Sequence, residues 1–256
     1  MERLAEQVVL ITGAGRGLGG GIARGLASYG ATILAVSRTK SELDSLAERV
    51  RGAGGKIETF PLDLGQPSAI DAFLRDVLAR HGRIDTLINN AAILRNTRFD
   101  DISAEEFDET IAVNLLAPVR LIRGVLPAMR SNGRGSIINV SSRAGVDPFA
   151  NETDYCAAKY GLEGFSFSLA LELQPDNISV NVVTPGFPIK PTSITVAEFE
   201  NWDPERRARF RDPIGMADGF AFLALQDGSG VTGQRFNAYE LSENVRNMGW
   251  DWNRHI

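Results

Sequence analysis

The fold is decided by the stretch Val8-Val9-Leu10-Ile11-Thr12-Gly13-Ala14-Gly15-Arg16-Gly17-Leu18-Gly19. Its first five residues form an apolar run typical of a buried strand, and helical spacing follows the glycines over residues 22–29. Glycine lets a backbone turn tightly and approach a pyrophosphate, whose charge meets the unpaired N–H groups at a helix start. The stretch therefore predicts a strand, a phosphate-binding turn and a helix.

The same alternation continues along the chain, with helical periodicity between short apolar runs. Near-continuous apolar strands are expected where helices cover both faces of a parallel sheet, so the pattern predicts a single-domain Rossmann-type, doubly wound α/β fold over residues 1–256. Further strands are expected at 32–36, 56–60, 85–88, 136–140, 178–183 and 235–237, and further helices at 40–51, 67–80, 104–130 and 154–173.

Composition excludes several classes of function. The chain has 256 residues, 43% hydrophobic and 23% charged, and a formal net charge of −5, so a large core is expected and a basic nucleic-acid surface is not. No stretch approaches the roughly 18 uninterrupted apolar residues of a membrane span. The single cysteine, Cys156, cannot form an internal disulfide, which fits a reducing, cytoplasmic location. We expect it to be a buried apolar residue and not a reactive thiol, because free cysteines are usually buried.

Three polar residues, Ser142, Tyr155 and Lys159, form the most informative chemical group. Residues four apart on a helix share one face, so the Lys159 ammonium is expected to lower the pKa of the Tyr155 phenol. A serine hydroxyl nearby can bind a carbonyl oxygen. The group is therefore suited to moving a proton while a hydride moves elsewhere.

The end of the second strand indicates which dinucleotide fits. NAD binding usually needs an acidic residue there for the ribose hydroxyls, but Val36-Ser37-Arg38-Thr39-Lys40 contains none. The guanidinium groups of Arg38 and Arg16 are instead suited to a 2′-phosphate. The alternative is that both arginines are solvated surface residues.

These motifs, in this order and spacing, resemble the short-chain dehydrogenase/reductase (SDR) family over nearly the whole chain up to about residue 237. The matching elements are the glycine turn, Asn89-Asn90-Ala91-Ala92 after the fourth strand, and Tyr155-x-x-x-Lys159 preceded by Ser142. The resemblance implies a fourth catalytic residue, Asn114, that supports a water chain supplying protons. The alternative for Asn114 is an amide satisfied within the core.

The resemblance also implies the cofactor-binding residues. Asp63 and Leu64 are expected at the adenine, with Asp63 alternatively a turn residue, and Ile189 and Thr192 at the carboxamide. The full expected set is Gly13, Gly15, Arg16, Gly17, Leu18, Gly19, Ser37, Arg38, Asp63, Leu64, Asn90, Ala91, Tyr155, Lys159, Pro185, Gly186, Ile189 and Thr192.

The chain departs from the family in two places. Residues 187–217 form a long proline-rich and arginine-rich stretch, expected to be a substrate loop. Residues 238–256 replace the usual ending with an atypical tail, whose Trp250 and Trp252 are expected to pack against protein. Candidate substrate contacts are Arg143, Ala144, Phe149, Asn151 and Phe187, and no metal site is expected.

The sequence thus predicts an NADP(H)-dependent enzyme that interconverts a small-molecule carbonyl and a secondary alcohol. The alternatives are an NAD(H)-preferring dehydrogenase, a nucleotide-sugar epimerase or dehydratase, and a cofactor-binding regulator without turnover. The resemblance further suggests a homotetramer or homodimer with the helices near 104–130 and 154–173 at its interfaces. It does not select a substrate.

Overall fold

The computed structural model describes residues 3–189, 198 and 201–250. All strands pair in parallel, in the order β3-β2-β1-β4-β5-β6-β7, so the order reverses direction between β1 and β4. The strands are β1 (Val8–Thr12), β2 (Thr32–Ser37), β3 (Lys56–Pro61), β4 (Thr86–Asn89), β5 (Gly135–Val140), β6 (Ile178–Thr184) and β7 (Arg235–Asn237). These confirm the predicted strands to within a residue or so.

Helices cover both faces of the sheet. One buried cluster joins the sheet to α1, α2, α8 and α9, and a second joins its other face to α3, α5 and α6. The doubly wound prediction is therefore confirmed. The helices are α1 (Gly17–Ser28), α2 (Lys40–Gly52), α3 (Pro67–His81), α4 (Ala104–Ile111), α5 (Ala117–Ser131), α6 (Thr153–Leu173), α7 (Pro204–Arg207), α8 (Ala217–Ala224) and α9 (Ala238–Met248).

Helix α1 begins at Gly17, five residues before the predicted start, because its glycines permit close packing. A Cβ on Gly21 would lie 2.5 Å from the Pro213 Cβ, and one on Gly25 would lie 2.1 Å from the Ala217 Cβ. The contact with Ala217 and the turn before it offsets the roughly 1 kcal/mol that each helical glycine costs. The close approach at Gly21 is to protein, and not to a pyrophosphate.

The predicted helix at 104–130 is divided. A π-helical turn, Ala112–Leu116, separates α4 from α5 and contains Asn114. By length and mean hydropathy the run Ala104–Ser131 could cross a membrane, although charged residues such as Arg120 and Arg123 interrupt it and a core helix of a folded domain passes the same criteria. In this structure several of its apolar residues, Leu121 and Val125 among them, belong to the core cluster that α5 shares with α3.

The C-terminal segment contains two helices that sequence patterning does not reveal. Helix α8 is apolar on nearly every side and therefore lacks a helical stripe. Residues 238–248, expected as an atypical tail, form α9, which packs on α8. Beyond it Trp250 packs edge-on against Tyr29, at 5.5 Å between ring centroids, whereas Trp252 lies outside the described residues.

A buried serine links α9 to α8 through two hydrogen bonds. The Ser242 hydroxyl accepts a hydrogen bond from the Gly219 N–H and donates one to the Met216 carbonyl, both at 2.8 Å. Ser242 is completely buried, so both groups would lose their partner without it. The serine hydroxyl thus satisfies two backbone groups at the start of α8 that would otherwise need a water molecule as hydrogen-bond partner.

We predict that Ser242→Ala lowers the free energy of unfolding by about 2–4 kcal/mol, because it leaves two buried backbone groups unsatisfied. Urea denaturation measures the change. Ser41→Ala, at an exposed position of α2, is the matched control and should change stability by less than about 0.5 kcal/mol. Equal stability of the Ser242 variant and the control would contradict the role given to Ser242.

Candidate functional site

The site lies at the carboxyl edge of the sheet, where β1 and β4 end side by side. The Thr12 hydroxyl accepts hydrogen bonds from the backbone N–H groups of Asn90 and Ala91, at 3.0 and 3.1 Å. In return, the Asn90 amide donates to the carbonyls of Thr12 and Gly13, at 2.9 and 3.1 Å. A Cβ on Gly19 would lie 2.5 Å from the Asn90 amide nitrogen. The glycine turn and the segment after β4 are therefore held together closely.

A cavity of about 490 Å³ opens at this edge. Its volume is within the range usual for cofactor and small-ligand sites. It runs between the glycine turn, the ends of β2 and β3, the segment after β4 and the start of α6. Its lining residues are Gly13, Arg16, Leu18, Ser37, Arg38, Thr39, Glu42, Leu62, Asp63, Leu64, Asn90, Ala91, Ala92, Ile93, Leu94, Val113, Val140, Ser141, Tyr155, Lys159, Pro185 and Ile189.

Most of the cofactor residues expected from the sequence line this cavity. Gly15, Gly17, Gly19 and Gly186 do not, and Thr192 lies outside the described residues. Gly186 has a φ of +74°, and a Cβ there would lie 1.7 Å from the Asn237 side-chain oxygen, so this glycine is needed for packing against β7. The expected residues in the lining are Gly13, Arg16, Leu18, Ser37, Arg38, Asp63, Leu64, Asn90, Ala91, Tyr155, Lys159, Pro185 and Ile189.

Charged side chains gather at the end of the cavity near β2 and β3. Arg16 pairs with Glu42 at 2.9 Å, and Arg38 lies 3.5 Å from Glu109. Glu42 is unexpected, since the sequence offers no carboxylate at the end of β2, but the first turn of α2 brings it to the cavity. Asp63 lines the cavity and also closes a turn by accepting a hydrogen bond from the Gly65 N–H at 2.9 Å.

The opposite end of the cavity contains Tyr155 and Lys159 on the first two turns of α6. The Asp154 carboxylate orients this helix start by accepting hydrogen bonds from the Tyr155 N–H at 2.8 Å and from the Thr110 hydroxyl at 2.6 Å. The Lys159 ammonium lies 5.6 Å from the Tyr155 ring centroid and donates to the Val140 carbonyl at 2.8 Å. The predicted shared face of Tyr155 and Lys159 is therefore present.

The pKa of Tyr155 lies above its ordinary value. Burial raises this pKa, a hydrogen bond with Ser142 lowers it, and the negative charge of Glu152 raises it further. The net shift is upward, so burial outweighs the lowering by the Ser142 hydrogen bond. The Lys159 ammonium donates to the Val140 carbonyl, and its expected lowering of the Tyr155 pKa stays a prediction.

Lys159 is almost completely buried. Burial lowers the pKa of its ammonium to about 8, opposed by the negative charge of Glu163 one helical turn away. Glu163 is buried too, and one of its carboxylate oxygens has no hydrogen-bond partner. At neutral pH the ammonium therefore stays mostly charged in an environment that disfavours its charge.

Arg235 links the last strand to this site, which the sequence does not reveal. Its Nε lies 3.0 Å from the Glu163 carboxylate, and its Nη2 donates to the Ser142 carbonyl at 3.2 Å. One guanidinium thus compensates the buried charge beside Lys159 and holds the backbone of Ser142. The Ser142 hydroxyl accepts a hydrogen bond from the Ala144 N–H at 3.2 Å.

Asn114 uses both polar atoms of its side chain on one residue. Its oxygen accepts a hydrogen bond from the Ile93 N–H, and its nitrogen donates to the Ile93 carbonyl, both at 2.7 Å. The side chain is completely buried and fixes the segment after β4, which lines the cavity. This contact satisfies both polar atoms of the amide within the core, and the proton relay through Asn114 stays a prediction.

The residues expected to touch substrate do not line the cavity. Arg143 pairs with Asp147 at 2.7 Å and lies 5.4 Å from the Phe149 ring centroid. Phe187 packs against Tyr239 of α9, at 5.1 Å between ring centroids. Ala144 is buried, and Asn151 is exposed with a φ of +65°.

A glycine turn and a cavity at the carboxyl edge, where the order of parallel strands reverses, define a Rossmann-type dinucleotide-binding protein. The chain belongs to the SDR family, because the family model described as short chain dehydrogenase matches residues 7–201. It is an oxidoreductase of that family, as the sequence resemblance predicts. Enzymes of this family act on small molecules.

Individual relatives support the same assignment. The chain is 36% identical over 235 residues to the 3-oxoacyl-[acyl-carrier-protein] reductase FabG of Thermotoga maritima, covering 91% of this chain and 96% of that protein. A metagenomic short-chain oxidoreductase, solved in complex with NADP, matches with a TM-score of 0.78 and 36% identity, covering 91% of this chain and 98% of that one. The carveol dehydrogenase of Mycobacterium avium, in complex with NAD, matches with a TM-score of 0.79 and 26% identity, covering 93% and 99%.

We predict that Lys159→Met stabilises the protein by about 1–2 kcal/mol at pH 7, because a buried ammonium costs more than its lost hydrogen bond contributes. The pKa of Lys159 is about 8 in the folded chain, below its ordinary value of 10.5, which applies to the unfolded chain. Between pH 8 and 10.5 Lys159 is protonated in the unfolded chain and mostly deprotonated in the folded chain. The free energy of unfolding of the wild type therefore rises with pH over this interval. The advantage of the variant should shrink over that interval.

Thermal unfolding at several pH values measures this difference, with exposed Lys56→Met as the matched control. The control should show no such pH-dependent gain. A Lys159 variant less stable than wild type at pH 7 would contradict the cost assigned to the buried ammonium.

Proposed function

We propose that this chain is an NADP(H)-dependent oxidoreductase that interconverts a carbonyl and a secondary alcohol. The observation that carries the proposal is one cavity with two different ends: Arg16 and Arg38 lie at one, and Tyr155 and Lys159 at the other. Gly13 lines the cavity in the turn before α1, and the unpaired N–H groups at a helix start suit a pyrophosphate. The residues present therefore fit a dinucleotide with a 2′-phosphate.

The chain's own residues supply binding and proton transfer. The Ser142 hydroxyl binds the substrate oxygen as negative charge develops on it, and the Tyr155 phenol, hydrogen-bonded to Ser142, gives that oxygen its proton. Lys159 contributes a fixed positive charge behind Tyr155, and Asn114 holds the wall of the cavity through Ile93. When bound, the nicotinamide supplies or accepts the hydride.

The raised pKa of Tyr155 favours a protonated phenol at neutral pH, which suits the reductive direction. In the oxidative direction the phenolate is needed as the base, so the pH must rise toward the tyrosine pKa. We infer that reduction is favoured at neutral pH and oxidation at alkaline pH. Near pH 8 the Lys159 ammonium, with its lowered pKa, also loses its charge.

The second candidate is an NAD(H)-preferring dehydrogenase working in the oxidative direction. Glu42 in the cavity favours it, because a carboxylate there suits a free ribose hydroxyl better than a phosphate. The NAD complex of the carveol dehydrogenase neighbour points the same way. The two arginines outweigh these observations in our proposal.

Three further parts of the proposal rest on the sequence expectations. We propose that residues 187–217 select the substrate, and that the helical stretches near 104–130 and 154–173 form the interfaces of a homodimer or homotetramer. The apolar residues Leu116, Phe167 and Leu171, exposed at 56%, 36% and 76%, support these interfaces. A cytoplasmic location fits the single free Cys156.

We predict that Tyr155→Phe lowers kcat for carbonyl reduction by at least about 100-fold, because it removes the proton donor and little else. Loss of NADPH absorbance with a panel of ketones measures turnover. Nicotinamide fluorescence should show a Kd for NADPH within about twofold of wild type. A variant that keeps most of its turnover would overturn the assignment, and NADPH binding by the wild type with no carbonyl reduced would favour a regulator.

For Arg38→Asp, we predict a fall in kcat/KM with NADPH of about 10-fold to 100-fold, because a 2′-phosphate would meet a carboxylate in place of a guanidinium. The value with NADH should change by less than about threefold. Arg49→Asp reverses an exposed charge on α2 outside the cavity and is the matched control. An unchanged ratio between the two cofactors in the Arg38 variant would favour the NAD(H)-preferring candidate.

A further inference from the structure

Each arginine expected to meet a 2′-phosphate already faces a carboxylate. Arg16 pairs with Glu42 at 2.9 Å, and Arg38 lies 3.5 Å from Glu109. Two positive and two negative groups therefore occupy the region that must attract a phosphate dianion. The preference of the cavity for NADP(H) therefore depends on the free energy needed to break each arginine–carboxylate pair.

The two carboxylates differ in this respect. Glu109 also pairs with Arg95, so it keeps a cationic partner when Arg38 turns to a phosphate. It does not line the cavity. Glu42 does line the cavity, and within the described part of the chain Arg16 is its ion-pair partner. The Glu42 carboxylate therefore stays at the phosphate region and loses its partner whenever Arg16 binds the ligand.

The Glu42 carboxylate lies close to Gly15 in the glycine turn. A Cβ placed on Gly15 would lie 2.9 Å from a Glu42 carboxylate oxygen and 2.9 Å from the Ser37 hydroxyl. The carboxylate thus stands over the glycine turn beside Ser37, at the end of β2, where the adenosine ribose binds in this fold. A carboxylate there accepts a hydrogen bond from a ribose hydroxyl and repels a phosphate.

We propose that Glu42 is a specificity-determining residue that restrains the preference for NADP(H), because it competes with the 2′-phosphate for the Arg16 guanidinium. The inference rests on the proposed dinucleotide function. Binding of NADP(H) breaks or shares the Arg16–Glu42 pair, whereas NAD(H) leaves the pair intact and offers its hydroxyl to the carboxylate. Glu42 thereby reduces the difference between the affinities of the cavity for NADP(H) and NAD(H).

The test is Glu42→Gln, which keeps the shape of the side chain and removes its charge. Fluorescence titration with NADPH and NADH measures both Kd values without any substrate. We expect the affinity for NADPH to rise about fivefold to tenfold, and that for NADH to stay level or fall. The difference should shrink between about 0.05 M and about 0.5 M salt, because the charges are partly exposed.

Glu48→Gln makes the same chemical change at an exposed position of α2 outside the cavity, so its affinity ratio should equal that of wild type. A double-mutant cycle with Arg16→Gln tests the competition directly, since the gain from Glu42→Gln should be smaller when Arg16 is absent. The proposal is overturned if Glu42→Gln leaves the ratio of the two Kd values unchanged, whether neither value changes or both change by the same factor.

An equal change in both affinities, with a lower melting temperature, would mean that Glu42 only stabilises the first turn of α2. These titrations also separate the proposal from the proposed reaction. Absence of carbonyl reduction would overturn the reaction, while the Kd ratio would still report on Glu42.

Discussion

The site depends on four hydrogen bonds that join the ends of β1 and β4. Neighbouring parallel strands diverge beyond their carboxyl ends where the strand order reverses, and a crevice opens there. Thr12 and Asn90 limit this divergence, so that the glycine turn and the wall after β4 face each other across one cavity. The Asn114 side chain then fixes that wall from behind through Ile93. The proposed binding of a cofactor at one end and the proposed proton transfer at the other both require this spacing.

Much of the fold follows from local patterns. The strands are short apolar runs with turn residues on either side, and burial on both faces makes such runs conspicuous in a sequence. The shared face of Tyr155 and Lys159 is likewise a consequence of helical spacing. Helix α8 escapes such an interpretation because burial on nearly every side removes its periodicity. The start of α1 escapes it because the packing contact of Gly21 with the distant Pro213 outweighs the low helix propensity of glycine.

The electrostatics of the site are less accessible from sequence, because they depend on residues far apart in the chain. Helical spacing brings Lys159 near Tyr155 on α6. The direction of its ammonium, however, is set by the hydrogen bond to the Val140 carbonyl on β5. Glu42 is invisible to an inspection of β2 alone, since only the direction of α2 returns it to the cavity. The pairing of Arg235 with Glu163 spans 72 positions and has no local signature. Such contacts are set by the assembled sheet, and a pattern within a few residues cannot contain them.

The same Arg235 contact has a consequence for how the protein is made. Synthesis proceeds from the N-terminus, so the glycine turn, β4 and the helix with Tyr155 emerge before residue 235. Until that residue arrives, the Glu163 carboxylate has no guanidinium to compensate its burial, and the Ser142 carbonyl lacks the donor that holds it. Burying an uncompensated charge is costly. The surroundings of Glu163 and Ser142 are therefore complete only after residue 235 has been made.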